Sequence, residues 1–264
     1  MSAAVNLFVV SAASLGVLVL VQAGAFAVGR RIGRVNVVDV AWGIGFVLVA
    51  LVAAVLGDGD AGRRWLLFVL VAVWGVRLSI HMHRKSAGKG EDPRYRDLLE
   101  RAGGASTATI VLRVFAIQGA AQWFVSLPLQ VSAVLGPVTG AGRVAIAAGV
   151  VAWAVGLTFE AVGDRQMLRF TRDPANRGHI MDRGLWGWTR HPNYFGDACL
   201  WWGVWLISAS VWPGVLTVLS PILMTYFLVY ATGARLLEKS MADRPGYREY
   251  QDRTAFFVPR PPRG

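Results

Sequence analysis

Seven stretches of mostly apolar residues, near 5–28, 35–57, 64–83, 113–135, 141–163, 194–212 and 214–232, constrain this chain more than any other feature. A helix needs roughly 20 such residues to cross the hydrocarbon core of a bilayer. With 55% hydrophobic and 16% charged residues over 264 positions, the chain is too apolar for one water-soluble domain and cannot be disordered. The spacing predicts an all-α, polytopic membrane bundle of about seven transmembrane helices, forming a single integral membrane domain over 1–264. Thirty glycines and eleven tryptophans suit it, since glycine lets helices approach closely and tryptophan settles at the headgroup level. The first run has neither a basic leader nor a small-residue cleavage site and reads as a retained helix.

The net charge of +11 would suggest a nucleic-acid partner in a soluble protein, but its placement gives another origin. Loop 29–34 carries Arg30, Arg31 and Arg34, and loop 84–113 carries seven basic residues. Six follow at Arg165, Arg169, Arg172, Arg177, Arg183 and Arg190, and seven in the tail, the last of them Arg263. Only Arg63, Arg64 and Arg143 fall on the opposite side, with Arg77 inside a run. Short cytoplasmic loops are enriched in Lys and Arg, so the N-terminus is expected outside and the C-terminus in the cytosol. The surplus charge is mostly topological and no nucleic acid is expected. Cys199 is the sole cysteine and no Cys/His cluster has zinc-site spacing, so neither a disulfide nor a metal is indicated.

The two later inner-face segments mix arginine with Asp, Asn, His, Trp and Tyr, which orientation alone does not require. In Thr189-Arg190-His191-Pro192-Asn193-Tyr194-Phe195-Gly196-Asp197, Pro192 suits the first turn of a helix. The free N–H groups and positive dipole end there, beside Arg190 and His191, can receive a phosphate. The same residues can equally form an interfacial cap, because Arg, Trp and Tyr anchor helices at membrane boundaries.

This string resembles the signature of the steroid 5-alpha-reductase family, especially its bacterial branch. Related Arg-His-Pro-x-Tyr segments occur in isoprenylcysteine carboxyl methyltransferases and phospholipid methyltransferases. Three further stretches favour the reductases: Gly88 to Tyr95, Glu160 to Phe170, and the tail Glu238 to Pro259 with Tyr247 and Tyr250. The resemblance implies an integral protein of the bacterial cytoplasmic membrane that binds NADPH in 136–264 and holds substrate among the helices of 1–135. It would reduce a carbon–carbon double bond of a lipid or steroid-like enone. It also implies that Asp164 accepts hydrogen bonds from ribose and that Arg169 and Arg172 face phosphates. Arg190, His191, Asn193, Tyr194 and Asp197 complete that cofactor set. Tyr247 and Tyr250, three apart after the turn signal Asp243-Arg244-Pro245-Gly246, would close over the cofactor or lie in an amphipathic helix on the membrane.

Ionisable residues inside spanning segments are costly and draw a functional hypothesis; here they are Asp39, Arg77 and His81. Beside the steroid-reducing members, Asp39 falls near a substrate-facing glutamate and His81 near a tyrosine that bonds the carbonyl, which makes them the catalytic candidates. A histidine can donate to a carbonyl oxygen and an aspartate can orient or charge it. Asp39 could instead complement a helix N-terminus, His81 could be interfacial, and Arg77 could partner a carboxylate. For Glu91 to Arg96, carboxylates that clamp arginine side chains from neighbouring loops are favoured over a contact with the nicotinamide-ribose end, since Pro93 and the alternating charge describe a folded surface turn. Besides an NADPH-dependent reductase, an S-adenosylmethionine-dependent methyltransferase and a non-enzymatic membrane scaffold or transporter are open. The inner-face arginines fit a cofactor with three phosphates better than one with none, and no pair of broken helices suggests a transport site.

Overall fold

The computed structural model describes residues 1–231 and 233–262, which leaves Arg263 outside the described residues. In chain order the helices are α1 Ala3–Ile32, α2 Val37–Leu56, α3 Ala61–Ser86, α4 Pro93–Arg101 and α5 Thr107–Val125, then α6 Leu127–Ser132, α7 Gly142–Arg172, α8 Leu185–Trp188, α9 Pro192–Ser208, α10 Gly214–Met241 and α11 Tyr247–Arg253. Among the described residues there is no strand, only an isolated bridge from Thr189 to Ala255. Six helices, α1, α2, α3, α5, α7 and α10, are long and apolar enough to cross a membrane, and the protein is an integral membrane protein. The sixth predicted run, 194–212, becomes the 17-residue α9 and falls just short of that length. Pro213 lacks an N–H and restricts the residue before it, so the helix ends before the apolar run does.

The predicted loop 164–193 begins later than expected. Helix α7 runs on through Arg165, Arg169 and Arg172, all good helix formers, until Asp173 meets Pro174. Two spans contain π-helical turns, Val111–Ala116 in α5 and Phe227–Ala231 in α10.

Contacts divide the chain into two compact units. The first comprises Met1–Arg143 with Ser208–Thr217. Within it, α2 and α3 meet backbone to backbone at Gly43 and Gly75. A Cβ on Gly75 would sit 2.7 Å from the Gly43 carbonyl, and one on Gly43 would sit 2.5 Å from Ser79 Oγ. Ser79 Oγ donates to the Val40 carbonyl at 2.8 Å, adding a polar tie in a place where lipid offers none. Gly45 leaves the room that the Gln122 amide occupies. Arg63 is buried, with Asp60 as a nearby acidic charge. Its guanidinium donates to Ser132 Oγ at 2.8 Å and to the carbonyls of Ser132, Leu135 and Gly136, stapling the start of α3 to the segment after α6. Asp60 caps α3 by accepting from Arg63 N at 2.7 Å.

The second unit comprises Val144–Ile207 and Val218–Gly264. Its central contact is a run of glycines seven apart. Gly149, Gly156 and Gly163 on α7 oppose Gly203, Gly196 and Pro192 on α9. A Cβ on Gly156 would lie 2.5 Å from the Gly196 carbonyl, one on Gly203 2.5 Å from the Gly149 carbonyl, and one on Gly163 3.2 Å from Pro192 Cγ. Two turns of helix separate successive glycines, which puts them on one stripe.

A valine at Gly156 is therefore expected to cost about 1–3 kcal/mol by overpacking. A valine at Gly16, where nothing lies within 4 Å, should stay within about 0.5 kcal/mol. Thermal unfolding of both variants in the same detergent measures the contrast.

Candidate functional site

The glycine stripe brings the polar residues of the second unit together. Because α7 and α9 touch, Glu160 and Asp164 on one helix and Asn193 and Asp197 on the other share a narrow seam. All three carboxylates are buried, and Asn193 Nδ2 donates to Asp164 Oδ1 at 3.3 Å. The Glu160 backbone N–H lies where a Cβ on Gly196 would come within 2.5 Å. Pro192 is the first residue of α9, as the sequence predicts.

Beyond Asp164 the same helix surfaces. Arg169 and Arg172 are exposed, and Arg169 lines an open depression of about 320 Å³ with Gln166, Phe170, Asn176 and Arg183. Gln166 shapes its rim by accepting from Leu185 N at 3.1 Å, and Gly184, at φ +60°, makes the turn into α8 that a side chain would strain.

Arg190 lies elsewhere in the network. Its guanidinium is a clamp for the tail: Nε donates to Glu238 Oε1 at 2.5 Å and Nη2 to Oε2 at 3.3 Å. Nη1 donates to the carbonyls of Gln251 at 3.0 Å and Thr254 at 2.6 Å. Its backbone N–H donates to the Ala255 carbonyl at 2.9 Å, and the guanidinium lies over the Phe256 ring. His191 Nε2 stands 3.3 Å from the same Glu238 oxygen, and its ring stacks on Tyr194 with centroids 5.8 Å apart. Gln251 Nε2 donates to Glu238 Oε2 at 3.1 Å.

Glu238 is thus the hub of this end of the unit. The sequence gives Glu238 only as the first residue of the tail stretch, with no role assigned to it, and it lies 48 residues from Arg190. Tyr247 and Tyr250 occupy one face of α11, as their spacing predicts, and both are buried. Burial, reinforced by the nearby Glu238 charge, pushes the Tyr247 hydroxyl up to about 12. Tyr250 donates to the Trp186 carbonyl at 2.6 Å, and burial also raises its hydroxyl well above the ordinary range. Thr189 Oγ1 donates to the Phe257 carbonyl at 2.8 Å, completing the stitching of the tail to residues 186–190.

In the first unit, Asp39 lies in the first turn of α2. Its Oδ1 accepts from the Tyr95 hydroxyl at 2.5 Å and its Oδ2 from Arg94 Nη2 at 3.4 Å. Burial, with the Asp39 charge and hydrogen bond, holds the Tyr95 hydroxyl well above the usual phenol value, which favours its proton-bearing form. The segment that supplies these partners is built as a turn. Asp92 caps α4 and binds the Arg94 side chain at 2.8 Å, while Glu91 accepts from the backbone N–H groups of Val35 at 2.5 Å and Asn36 at 3.1 Å. The carboxylate of Glu91 therefore holds the start of α2 rather than an arginine, and Asp92 holds its own neighbour's side chain. Arg77 and His81 lie four apart on α3, half-buried, and neither is without a partner.

Two outcomes check this geometry. Arg190→Ala should release the tail, since breaking a largely buried ion pair costs about 3 kcal/mol or more. Limited proteolysis after Arg248 and Arg253 should accelerate while the spans persist. For Asp92, burial disfavours the charge, but the Arg94 hydrogen bonds and charge prevail and hold its carboxyl below the usual 3.8. A depressed value stabilises the fold above that pH and ceases to do so as pH falls through it. Asp92→Asn should accordingly flatten the acid limb of the stability–pH curve.

Comparison with known proteins adds a family. A stretch of 78 residues, 29% of this chain, is 32% identical to an uncharacterised protein of Schizosaccharomyces pombe, and the match spans 23% of that protein's length. No solved structure matches the chain. The family model for a protein of unknown function, DUF1295, matches residues 25–254, from within α1 to just past α11. The chain belongs to the DUF1295 family.

Proposed function

We propose that the protein is an NADPH-dependent reductase of a carbon–carbon double bond in a lipid or steroid-like enone. The observation that carries this reading is buried Asp164, hydrogen-bonded to half-buried Asn193 across a seam closed by glycines, on the helix that leads to the Arg169 and Arg183 depression. A buried carboxylate in a membrane helix is expensive and marks a site. Two arginines around an open depression offer the fork geometry that phosphates take. The resemblance of residues 189–197 to the steroid 5-alpha-reductase signature supplies the reaction class.

The residues present fit the cofactor in part. Asp164 and Asn193 offer an acceptor and a donor for ribose hydroxyls. Arg169 and Arg183, with Arg172 exposed nearby, offer charge for phosphates. Arg190, His191 and Tyr250 have their polar groups engaged with Glu238, tail carbonyls and Trp186, and Tyr247 is buried beside Glu238. They act as the frame that holds the tail. NADPH would supply the hydride. On the substrate side Asp39 is the acid–base candidate, with Tyr95 as a proton-bearing partner and Arg94 fixing its charge. His81 is the candidate donor to a carbonyl oxygen.

Ligand-dependent thermal stabilisation of the detergent-solubilised protein tests this. NADPH at a hundred times its dissociation constant should add about 2.7 kcal/mol, and S-adenosylmethionine should add nothing. Arg169→Ala and Arg183→Ala, both at an exposed rim, should each weaken NADPH about tenfold without changing the ligand-free melting point. Stabilisation by S-adenosylmethionine alone would establish the methyltransferase instead. No shift with either ligand would overturn the reading.

A further inference from the structure

Near its end α10 presents two cations that no carboxylate meets. At Gly233 the backbone leaves helical geometry, with φ −109° and ψ −120°, and a Cβ there would collide with the Leu228 carbonyl. The helix resumes at Ala234 and carries Arg235 and Lys239, four apart and so neighbours on one face. The acid at helical spacing from Arg235 is Glu238, but both of its oxygens are taken by Arg190, His191 and Gln251. Arg235 and Lys239 are exposed, and among the described residues neither has a hydrogen bond or an ion pair.

Arg235 is nonetheless held in place. Its guanidinium lies over the Tyr230 ring, 4.4 Å from the centroid, and Tyr230 stacks on Tyr226 with centroids 5.6 Å apart. Contact through the flat face leaves the N–H edge of the guanidinium unspent. The stack coincides with the π-helical turn Phe227–Ala231, a widened backbone frequent at functional places. Ile222, Tyr226 and Tyr230, four apart on a spanning helix, are all about half exposed, so lipid chains meet that strip. Leu236 and Leu237 are exposed beside the cations and keep this end at the headgroup level rather than in water. The basic side of such a protein faces the cytosol, where the leaflet carries anionic lipid.

We infer that this surface binds an anionic phospholipid, with its phosphate between Arg235 and Lys239 and an acyl chain along Tyr230, Tyr226 and Ile222. The free edge of a guanidinium matches phosphate oxygens, and Lys239 adds a second charge. A zwitterionic lipid brings its own cation to the phosphate and gains less from the pair. A free phosphate meets the cations but has nothing to lay along the aromatic strip. The site uses none of the residues assigned to NADPH, so it survives the failure of the reductase reading.

The test places the full-length protein in mixed micelles holding equal amounts of phosphatidylglycerol and phosphatidylcholine with identical acyl chains. Native mass spectrometry reads which lipid stays bound. The unaltered protein should retain phosphatidylglycerol about tenfold over phosphatidylcholine. Arg235→Gln combined with Lys239→Gln should bring the two lipids to parity. Arg244→Gln combined with Arg248→Gln removes as much exposed charge from the same tail and should leave the preference intact. Inorganic phosphate at the concentration of the lipid should displace nothing. Equal retention of both lipids by the unaltered protein, a preference that persists without Arg235 and Lys239 or falls equally without Arg244 and Arg248, or displacement by inorganic phosphate would overturn the inference. The first and last of these readouts need no variant and stand even where one does not fold.

Discussion

The close approach of α7 and α9 is the constraint on which the second unit depends. In a bilayer, apolar surface gives helices no reason to associate, because lipid tails are as apolar as leucine. What remains is dispersion at short range, and that needs small residues. Glycines at 149, 156 and 163 facing Gly203, Gly196 and Pro192 let backbone touch backbone. Only at that distance can Asn193 reach Asp164 and can Glu160 and Asp197 be buried in the same seam. A helix pair spaced by ordinary side chains would leave these carboxylates facing lipid, where they would be protonated or expelled.

A second constraint governs the tail. Helix α11 is seven residues long and could not hold itself in place. It is fixed because Arg190 binds a carboxylate and two carbonyls at once, and because the Thr189 hydroxyl, the Arg190 backbone N–H and the Tyr250 hydroxyl donate to carbonyls across 186–190 and the tail. The motif around Arg190 therefore works as an internal clamp. If a phosphorylated cofactor binds this unit, the charge that meets it comes from Arg169 and Arg183, which the clamp leaves open.

Much of this was legible in the sequence. Run length and hydropathy locate the spans, Pro192 marks the start of α9, and the spacing of Tyr247 and Tyr250 places both on one buried face. The short α9 was less legible, because hydropathy continues through Trp212 while the helix stops at Ser208. The partners of the charged residues were not legible at all. Glu238 meets Arg190 across 48 residues and Tyr95 meets Asp39 across 56, and no local pattern encodes such pairs. The readings of Arg190 beside a phosphate and of Asp39 beside His81 rest on residue type, helix position and the resemblance. In the structure Arg190 binds Glu238 and the tail, and Asp39 binds Tyr95 and Arg94.

The central proposal is a hydride transfer, and isotope tracing reaches it most directly. Purified protein would be incubated with a lipid extract and NADPH deuterated at one or the other face of nicotinamide C4. The account predicts a lipid two hydrogens richer than its precursor, carrying one deuterium from one labelled face and none from the other. Deuterium in no lipid from either face, with folded protein present, would contradict it.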